Sequence, residues 1–318
     1  MVEKCSNRRE LAQKLKANLR IPVMAGPMFI ASTADLVIEQ CKAGIIGSMP
    51  ALNPRTTEQL DADIARIKQG VGDVPYAINL VAHKSNSRLD ADLDIVLKHK
   101  VPIVVLALAA NPDLVRQLQA NGSLVFQDVV KDRHARKCAE MGVDGIIPVA
   151  AGAGGHTGDR SPFALCQEIR EWWDGLLLLS GAIATGRSVL AAEVLGADFA
   201  YIGSPFLAST EANTQPAFKQ MIVDSAADDI VVTNCFTGVN ANFLRPSILE
   251  HGLDPATLIR PEGKAINIDG GGDNAKAWKD IWSAGHGIGA IKQAEPARDY
   301  IDRLVAEYAS VRAEFGMN

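Results

Sequence analysis

A polyanion would find no track on this chain. Lysine and arginine together number 32 against 37 acidic residues, and the formal net charge is −5. No basic stripe carries interleaved aromatics, so nucleic acid is not an expected partner. Long apolar runs are missing as well. Stretches such as "VPIVVLALAA" (101–110) fall far short of the roughly 20 residues that span a bilayer. The first twenty residues, "MVEKCSNRRELAQKLKANLR", are charged and lack the apolar core of a secretory signal. They read as a short amphipathic helix before the first strand. Cysteine is scarce: Cys5, Cys41, Cys138, Cys166 and Cys235, with no C-x-x-C spacing. An odd count in that arrangement argues against a disulfide framework or a zinc site and fits a reducing cytoplasm. Cys41 and Cys138 fall on the inner faces of expected helices, where packing is the natural role. Two nucleotide signatures are absent too. No G-x-x-x-x-G-K-[ST] occurs, and the turn after the first apolar run, "AGPMFIAS", is not G-x-G-x-x-G.

What is present has a beat. The chain is 47% hydrophobic and 22% charged over 318 residues, which describes a soluble globular protein. Eight short apolar runs recur: "IPVMAG" (21–26), "GIIGSM" (44–49), "YAINLV" (76–81), "PIVVLAL" (102–108), "SLVFQDV" (123–129), "DGIIPVA" (144–150), "LLLLSG" (176–181) and "FAYIGS" (199–204). Each is bounded by turn residues and lacks strict polar alternation, as buried parallel strands do. The segments between them read as helices. Ser32 with Asp35 resembles a capping box. Asn111 before Pro112 suits an N-cap followed by proline at the first helical position. Gly44, Gly122, Gly142 and Gly196 follow helical patterns just before strands. In 131–141, Ala135, Cys138 and Ala139 face inward. Eight βα units imply an α/β fold of the (β/α)8 TIM-barrel type, with a doubly wound sheet as the competitor. The barrel is expected over 1–226. Residues 227–318 read as a dependent helical and loop extension acting as a lid over the mouth. It contains an amphipathic helix at 298–315 and the stretch "INIDGGGDNAKAWKDIWSAGHGIG".

In such a barrel, chemistry belongs at the C-terminal ends of the strands. Those ends are rich in glycine and poor in carboxylates. Only Asp128 and His156 stand out, so the reactive group is expected to come from a cofactor, with no metal. The loops "LSGAIATGRS" and "YIGSPF" suit a phosphate, through Gly181, Gly203 and Ser204 and the helix starting near Gly186. In "IIPVAAGAGGHTGDRSPF" (146–163), four glycines surround His156. They suggest positive φ angles or a flat ligand against the backbone, holding an imidazole over the mouth as a base, an acid or an anion donor. His99 and His134 are expected to be solvated on helices, and His251 lies in a polar connector; His83 and His286 could reach the mouth but are expected to be structural. Asn79 closes its strand as either a turn former or a partner for a flavin or pyrimidine edge. Trp172-Trp173 is a candidate homodimer contact.

These segments together resemble the nitronate monooxygenase family, formerly 2-nitropropane dioxygenases: "PVMAGPM", "AINL", "AGAGGHTG", "LSGAIATGRSVLAAEVLGADFAYIGSPFLAS" and "IWSAGHGIG". The resemblance implies an FMN-dependent TIM-barrel oxidoreductase. Ala25, Gly26, Pro27 and Met28 would pass along the isoalloxazine, and Asn79 and Gln127 would hydrogen-bond it. Gly154 and Gly155 would let a loop approach the cofactor. Gly181, Ala182, Gly203 and Ser204 would bind the FMN phosphate, Ala151 and Ser180 would belong to the cofactor site as well, and Ser283 would face the flavin. His156 matches the family's catalytic histidine. The implied reaction converts a nitronate or nitroalkane and O2 to a carbonyl compound and nitrite. Departures exist: Gly26-Pro27 replaces a common Gly-Gly, Gln127 stands where many relatives have Lys or His, and Ala150-Ala151 replaces a carboxylate. An NAD(P)H-dependent flavin reductase acting on a quinone or enoyl thioester is the alternative. A flavin-free sugar-phosphate isomerase, with His156 or Asp128 as base, is a third.

Overall fold

The computed structural model describes residues 2–83, 85–109, 111–258 and 276–317, with side chains from Arg8 onward. Eleven strands occur among them: β1 (Val23–Ala25), β2 (Gly47–Pro50), β3 (Tyr76–Val81), β4 (Ile103–Ala107), β5 (Leu124–Val129), β6 (Gly145–Pro148), β7 (Gly155–His156), β8 (Leu176–Ser180), β9 (Phe199–Ile202), β10 (Ile230–Thr233) and β11 (Ala241–Leu244). Eight form one parallel sheet in the order β1-β9-β8-β6-β5-β4-β3-β2. It closes through the Met24–Ile46 bridge, where Ala25 N–H donates to Ile46 O at 2.8 Å. All eight apolar runs supply a barrel strand, and the fold is a (β/α)8 barrel.

The helices follow from amphipathic spacing and good ends. They are α1 (Val2–Lys16), α2 (Ala34–Lys42), α3 (Thr57–Gly70), α4 (Leu89–His99), α5 (Pro112–Ala120), α6 (Asp132–Glu140), α7 (Pro162–Arg170), α8 (Gly186–Val194), α9 (Ser204–Leu207), α10 (Pro216–Asp224), α11 (Arg245–Glu250) and α12 (Ala297–Glu314). Asn111 caps α5, its side chain accepting from Leu114 N–H at 2.8 Å. The cap of α2 lies one residue later than the sequence suggests. Thr33 accepts from Leu36 N–H, while Ser32 accepts from Met28 N–H at 3.0 Å and so tightens the preceding loop.

Two cores result. The outer one lies between strands and helices. The inner one fills the barrel with Met24, Ile46, Ala77, Ile103, Val105, Phe126, Ile147, Leu176, Leu178 and Phe199, and Ala12 and Leu15 of α1 plug its floor. Two features were not anticipated. A second, antiparallel sheet, β10-β11-β7, pairs His156 with Ala241 and Gly155 with Asn242. In addition, α12 does not sit over the mouth. It packs on α8 and α2, in the last place of the helical ring. Residues 266–275 of the glycine-rich tail stretch lie outside the described residues.

Candidate functional site

Strand pleating decides which side chains reach the interior, because successive residues face opposite sides. Phe126 belongs to the inner core, and Val125 and Val129 belong to the outer one. Asp128 therefore points inward with Phe126. The same alternation carries Asn79, Val105, Val149, Ser180 and Tyr201 into a cavity of about 490 Å³ at the C-terminal end of the barrel. That volume falls in the range of roughly 300–1,000 Å³ typical of small-molecule sites.

Of the residues expected at the site, Gly26, Pro27, Met28, Asn79, Gly154, Gly155, His156, Ser180, Gly203, Ser204 and Ser283 line this cavity. Ala25, Gln127, Ala151, Gly181 and Ala182 are not in its wall. Ala25 and Gln127 fall on the outward side of the pleat. Gln127 touches the site indirectly, through Nε2 donating to Asp128 Oδ1 at 3.4 Å. Ala151 N–H donates to Arg160 O, and Ala182 N–H is taken by Gly152 O, which turns that loop aside. Tyr201, Trp278, Trp282, Phe218, Phe29 and Lys279 join the wall unannounced. For Tyr201 the missed signal was readable, since Phe199, Tyr201 and Gly203 alternate on one face. Phe218 comes from α10, and the others come from loops with no period to read.

The first loop is held by one amide. Asn53 Oδ1 accepts from Ile30 N–H at 2.9 Å, and its Nδ2 donates to Met28 O at 3.0 Å and Ser32 O at 2.7 Å. Ile30 thereby keeps a left-handed φ of 67°, which a β-branched residue rarely adopts. The His156 loop is held from the other side. Ser283 Oγ accepts from Gly155 N–H at 3.0 Å and donates to Asn242 O. Asn242 Nδ2 donates to Ala153 O at 2.6 Å.

The glycines near His156 serve two purposes. Gly155 has φ +71°, whereas Gly154 and Gly158 are needed for space. A Cβ on Gly154 would lie 2.8 Å from Ser204 Oγ, and one on Gly158 only 2.5 Å from Val149 O.

His156 stands edge-on to Trp278, with ring centroids 5.5 Å apart. Its Nε2 is buried without a partner, and burial lowers its pKa below the ordinary 6.5. The imidazole is neutral near pH 7 and free to accept a proton. Burial pushes the Asp128 carboxyl up to about 6, against smaller opposing hydrogen bonds from its own backbone, Gln127 and Leu108. Tyr201 is raised well above its ordinary value, by burial and then by Asp128. The other histidines stay outside this group. His99 is not simply solvated: its Nε2 pairs with Asp61. The Trp172 and Trp173 indoles bond inside the chain, to Asp132 Oδ1 and Leu176 O.

A closed parallel barrel with a glycine-lined cavity and one unpartnered imidazole at its strand ends defines a small-molecule barrel enzyme. The family model described as nitronate monooxygenase matches residues 11–307, and the chain belongs to that oxidoreductase family. It is 26% identical to the nitronate monooxygenase of Neurospora crassa, over 90% of this chain and 88% of that protein. Three relatives from Mycobacterium tuberculosis and Rhodococcus jostii are 27–30% identical, and the matches span 61–65% of their length. Two of these carry the name (3aS,4S,5R,7aS)-5-hydroxy-7a-methyl-1-oxo-octahydro-1H-indene-4-carboxyl-CoA dehydrogenase. Among solved structures, the nitroalkane oxidase of Streptomyces ansochromogenes superposes with a TM-score of 0.77, at 23% identity over 95% of this chain and 99% of that one. No helix among the described residues is long and apolar enough to cross a membrane.

Proposed function

We propose that the cavity holds FMN and that the enzyme oxidises nitroalkanes or their nitronates with O2, giving a carbonyl compound and nitrite. The observation that carries the reading is the buried, unpartnered Nε2 of His156 on a cavity wall rich in glycine, apolar side chains and aromatics. The donor set suits a flavin. Gly26, Pro27 and Met28 offer backbone for a flat ring, Asn79 offers an amide edge, and Gly203 with Ser204 opens α9 towards a phosphate. Gly181 and Ala182 would reach the phosphate only after Gly152 O released the Ala182 N–H.

FMN, when bound, supplies the electron-transfer chemistry that side chains lack. The chain's own part is proton transfer and enclosure. Neutral His156 takes the α-proton of a nitroalkane on Nε2, while Trp278 and the paired β7-β11 backbone fix the ring. Phe29, Phe218 and Trp282 keep water from the reacting carbon. The free thiols Cys41, Cys138 and Cys166, all buried, fit a reducing cytoplasm.

Purified full-length protein should be yellow, and adding nitroethane or its nitronate should consume O2 and release nitrite. Colourless protein that cannot take up FMN sinks the reading. A second reading, hydride from NAD(P)H to a quinone or enoyl thioester, is favoured by exposed Lys279 on the cavity wall, where a diphosphate could dock. Fast anaerobic bleaching by NADH with nitronate inert would select it.

A further inference from the structure

We propose that Asn53 is a positioning residue: without entering the cavity, its amide fixes the wall at 27–31 in a shape that is ready for FMN before FMN arrives. The inference rests on the cavity being the flavin site proposed above.

Pro27, Met28, Phe29, Ile30 and Ala31 all line the cavity, and Asn53 does not. The wall bends at Ile30, the residue with φ of 67°. Strain of that kind persists in a β-branched residue only where neighbours impose it. Two amides impose it, one on each side of the residue. Asn53 Oδ1 accepts from Ile30 N–H at 2.9 Å, and Asn213 Nδ2 donates to Ile30 O at 3.2 Å. Asn213 N–H adds a bond to Ala31 O at 2.9 Å. Asn53 Nδ2 meanwhile donates to Met28 O and Ser32 O, on either side of the bend. Both ends of the Asn53 amide are thus committed to one loop.

Asn53 is itself anchored from behind. It lies between β2 and α3, flanked by two carbonyls that Arg88 holds. Arg88 Nη1 donates to Pro54 O at 2.7 Å, and Nη2 donates to Ala51 O at 3.5 Å. The same guanidinium pairs with Asp92 of α4 at 2.8 Å, and Asp92 is fully buried. Arg88 Nε and Asp92 Oδ2 are buried without partners. An ion pair in that state adds little to stability, because desolvation offsets its attraction. What it does supply is a fixed place for Asn53. A continuous path of polar contacts then runs from a helix of the ring to the cavity wall. Without the Asn53 amide, Ile30 N–H loses its acceptor and the residue relaxes to negative φ. The wall must then be ordered anew at each binding event, and that ordering is subtracted from affinity.

The test needs no turnover. Full-length protein freed of flavin is titrated with FMN, read from the flavin fluorescence, and melted with and without a fixed FMN concentration. Asn53→Ala should weaken FMN at least tenfold and shrink the rise in Tm that FMN brings, as mass action requires. Asn53→Leu keeps the bulk without the amide and should show the same loss, so it decides should the alanine variant fold poorly. Ser123→Ala is the control for stability alone. It removes the buried bond from Ser123 Oγ to Val101 O, 2.7 Å long, at the far end of the barrel. It should lower the Tm of the flavin-free protein and leave FMN affinity within twofold. Arg88→Lys keeps a charge beside Asp92 but cannot hold both carbonyls. It should weaken FMN at least threefold alone, and no further when combined with Asn53→Ala. Wild-type affinity in both Asn53 variants overturns the proposal and leaves the cofactor reading standing. An equal loss in Ser123→Ala overturns it as well, and losses that multiply in the double variant overturn the path through Asn53. Wild-type protein that takes up no FMN removes the cofactor reading itself, and the proposal with it.

Discussion

His156 and Asp128 are pushed in opposite directions by the same cause. Burial disfavours whichever form is charged, so the imidazole loses basicity and the carboxyl loses acidity. A base for a weakly acidic C–H must be unprotonated at working pH. The rate on a neutral nitroalkane should therefore hold steady from pH 8 towards 7. It should fall as the pH drops through the His156 pKa, which lies below 6.5. His156→Asn should lower kcat/KM on nitroethane by roughly 10²–10⁴-fold, the usual worth of a positioned base. A steady-state assay on both substrate forms checks it, and wild-type rates on nitroethane would end the base role. For Asp128 the consequence concerns stability. Its folded pKa of about 6 lies above the ordinary 3.8, so between those values the native state keeps a proton that the unfolded chain has lost. Stability contributed by the protonated form is complete below about pH 4 and declines as pH rises through 6. Asp128→Asn should then raise the melting temperature relative to wild type at pH 8 and not at pH 4. Matched thermal scans at the two pH values decide this.

At the level of elements, the His156 loop is clamped by pairing and by lack of space. Thr157 N–H donates to Asn240 O, Gly158 N–H to Val149 O, and β7 adds an edge to β11. A methyl group at Gly158 would press on the Val149 carbonyl, which belongs to backbone and cannot swing away. Gly158→Ala should cost roughly 1–3 kcal/mol, as overpacked sites do, seen as a lower urea midpoint with an unchanged slope. A midpoint equal to wild type would mean the loop is slack. These elements also mark what the sequence could and could not disclose. The barrel strands were legible because each is a short apolar run between turn residues. The glycines and His156 were legible because their density has no other cheap explanation. Hairpin β10-β11 was not: its first strand is only partly buried, with Val232 53% exposed, so no burial pattern announced it. Gln127 was preferred to Asp128 through resemblance, although counting the pleat from Phe126 would have chosen the acid. The ends of strands are where a one-residue slip exchanges an inner side chain for an outer one.

The whole molecule is closed by a helix from its far end. The heptad-like spacing of Ile301, Leu304 and Val311 made α12 readable as a helix. Its place in the ring was not readable, because nothing local encodes which neighbours it meets. That place is exacting. Gly186, which opens α8, has no room for a side chain, since a Cβ would lie 2.2 Å from Tyr308 N. Its own N–H donates to Glu307 Oε2 at 2.9 Å. Tyr300 OH donates to Ala184 O at 3.1 Å, just before α8. Ile301, Leu304 and Val311 are buried to within 3%, and full burial of each such side chain is worth about 1.5–3 kcal/mol. Their sum is comparable to the roughly 5–15 kcal/mol that separates most folded domains from the unfolded chain. Deleting residues 297–318 removes no residue of the cavity wall, so a lid or mouth role for this segment would leave a folded barrel with altered kinetics. Ring closure requires a different outcome: the shortened chain should lose its cooperative urea transition and its near-ultraviolet circular dichroism. Gly186→Ala is the milder form of the same test. It should lower the urea midpoint of the full-length chain, because α12 must then move away from α8. A truncated chain that still unfolds in one sharp step would assign the closure of the barrel to the strands alone.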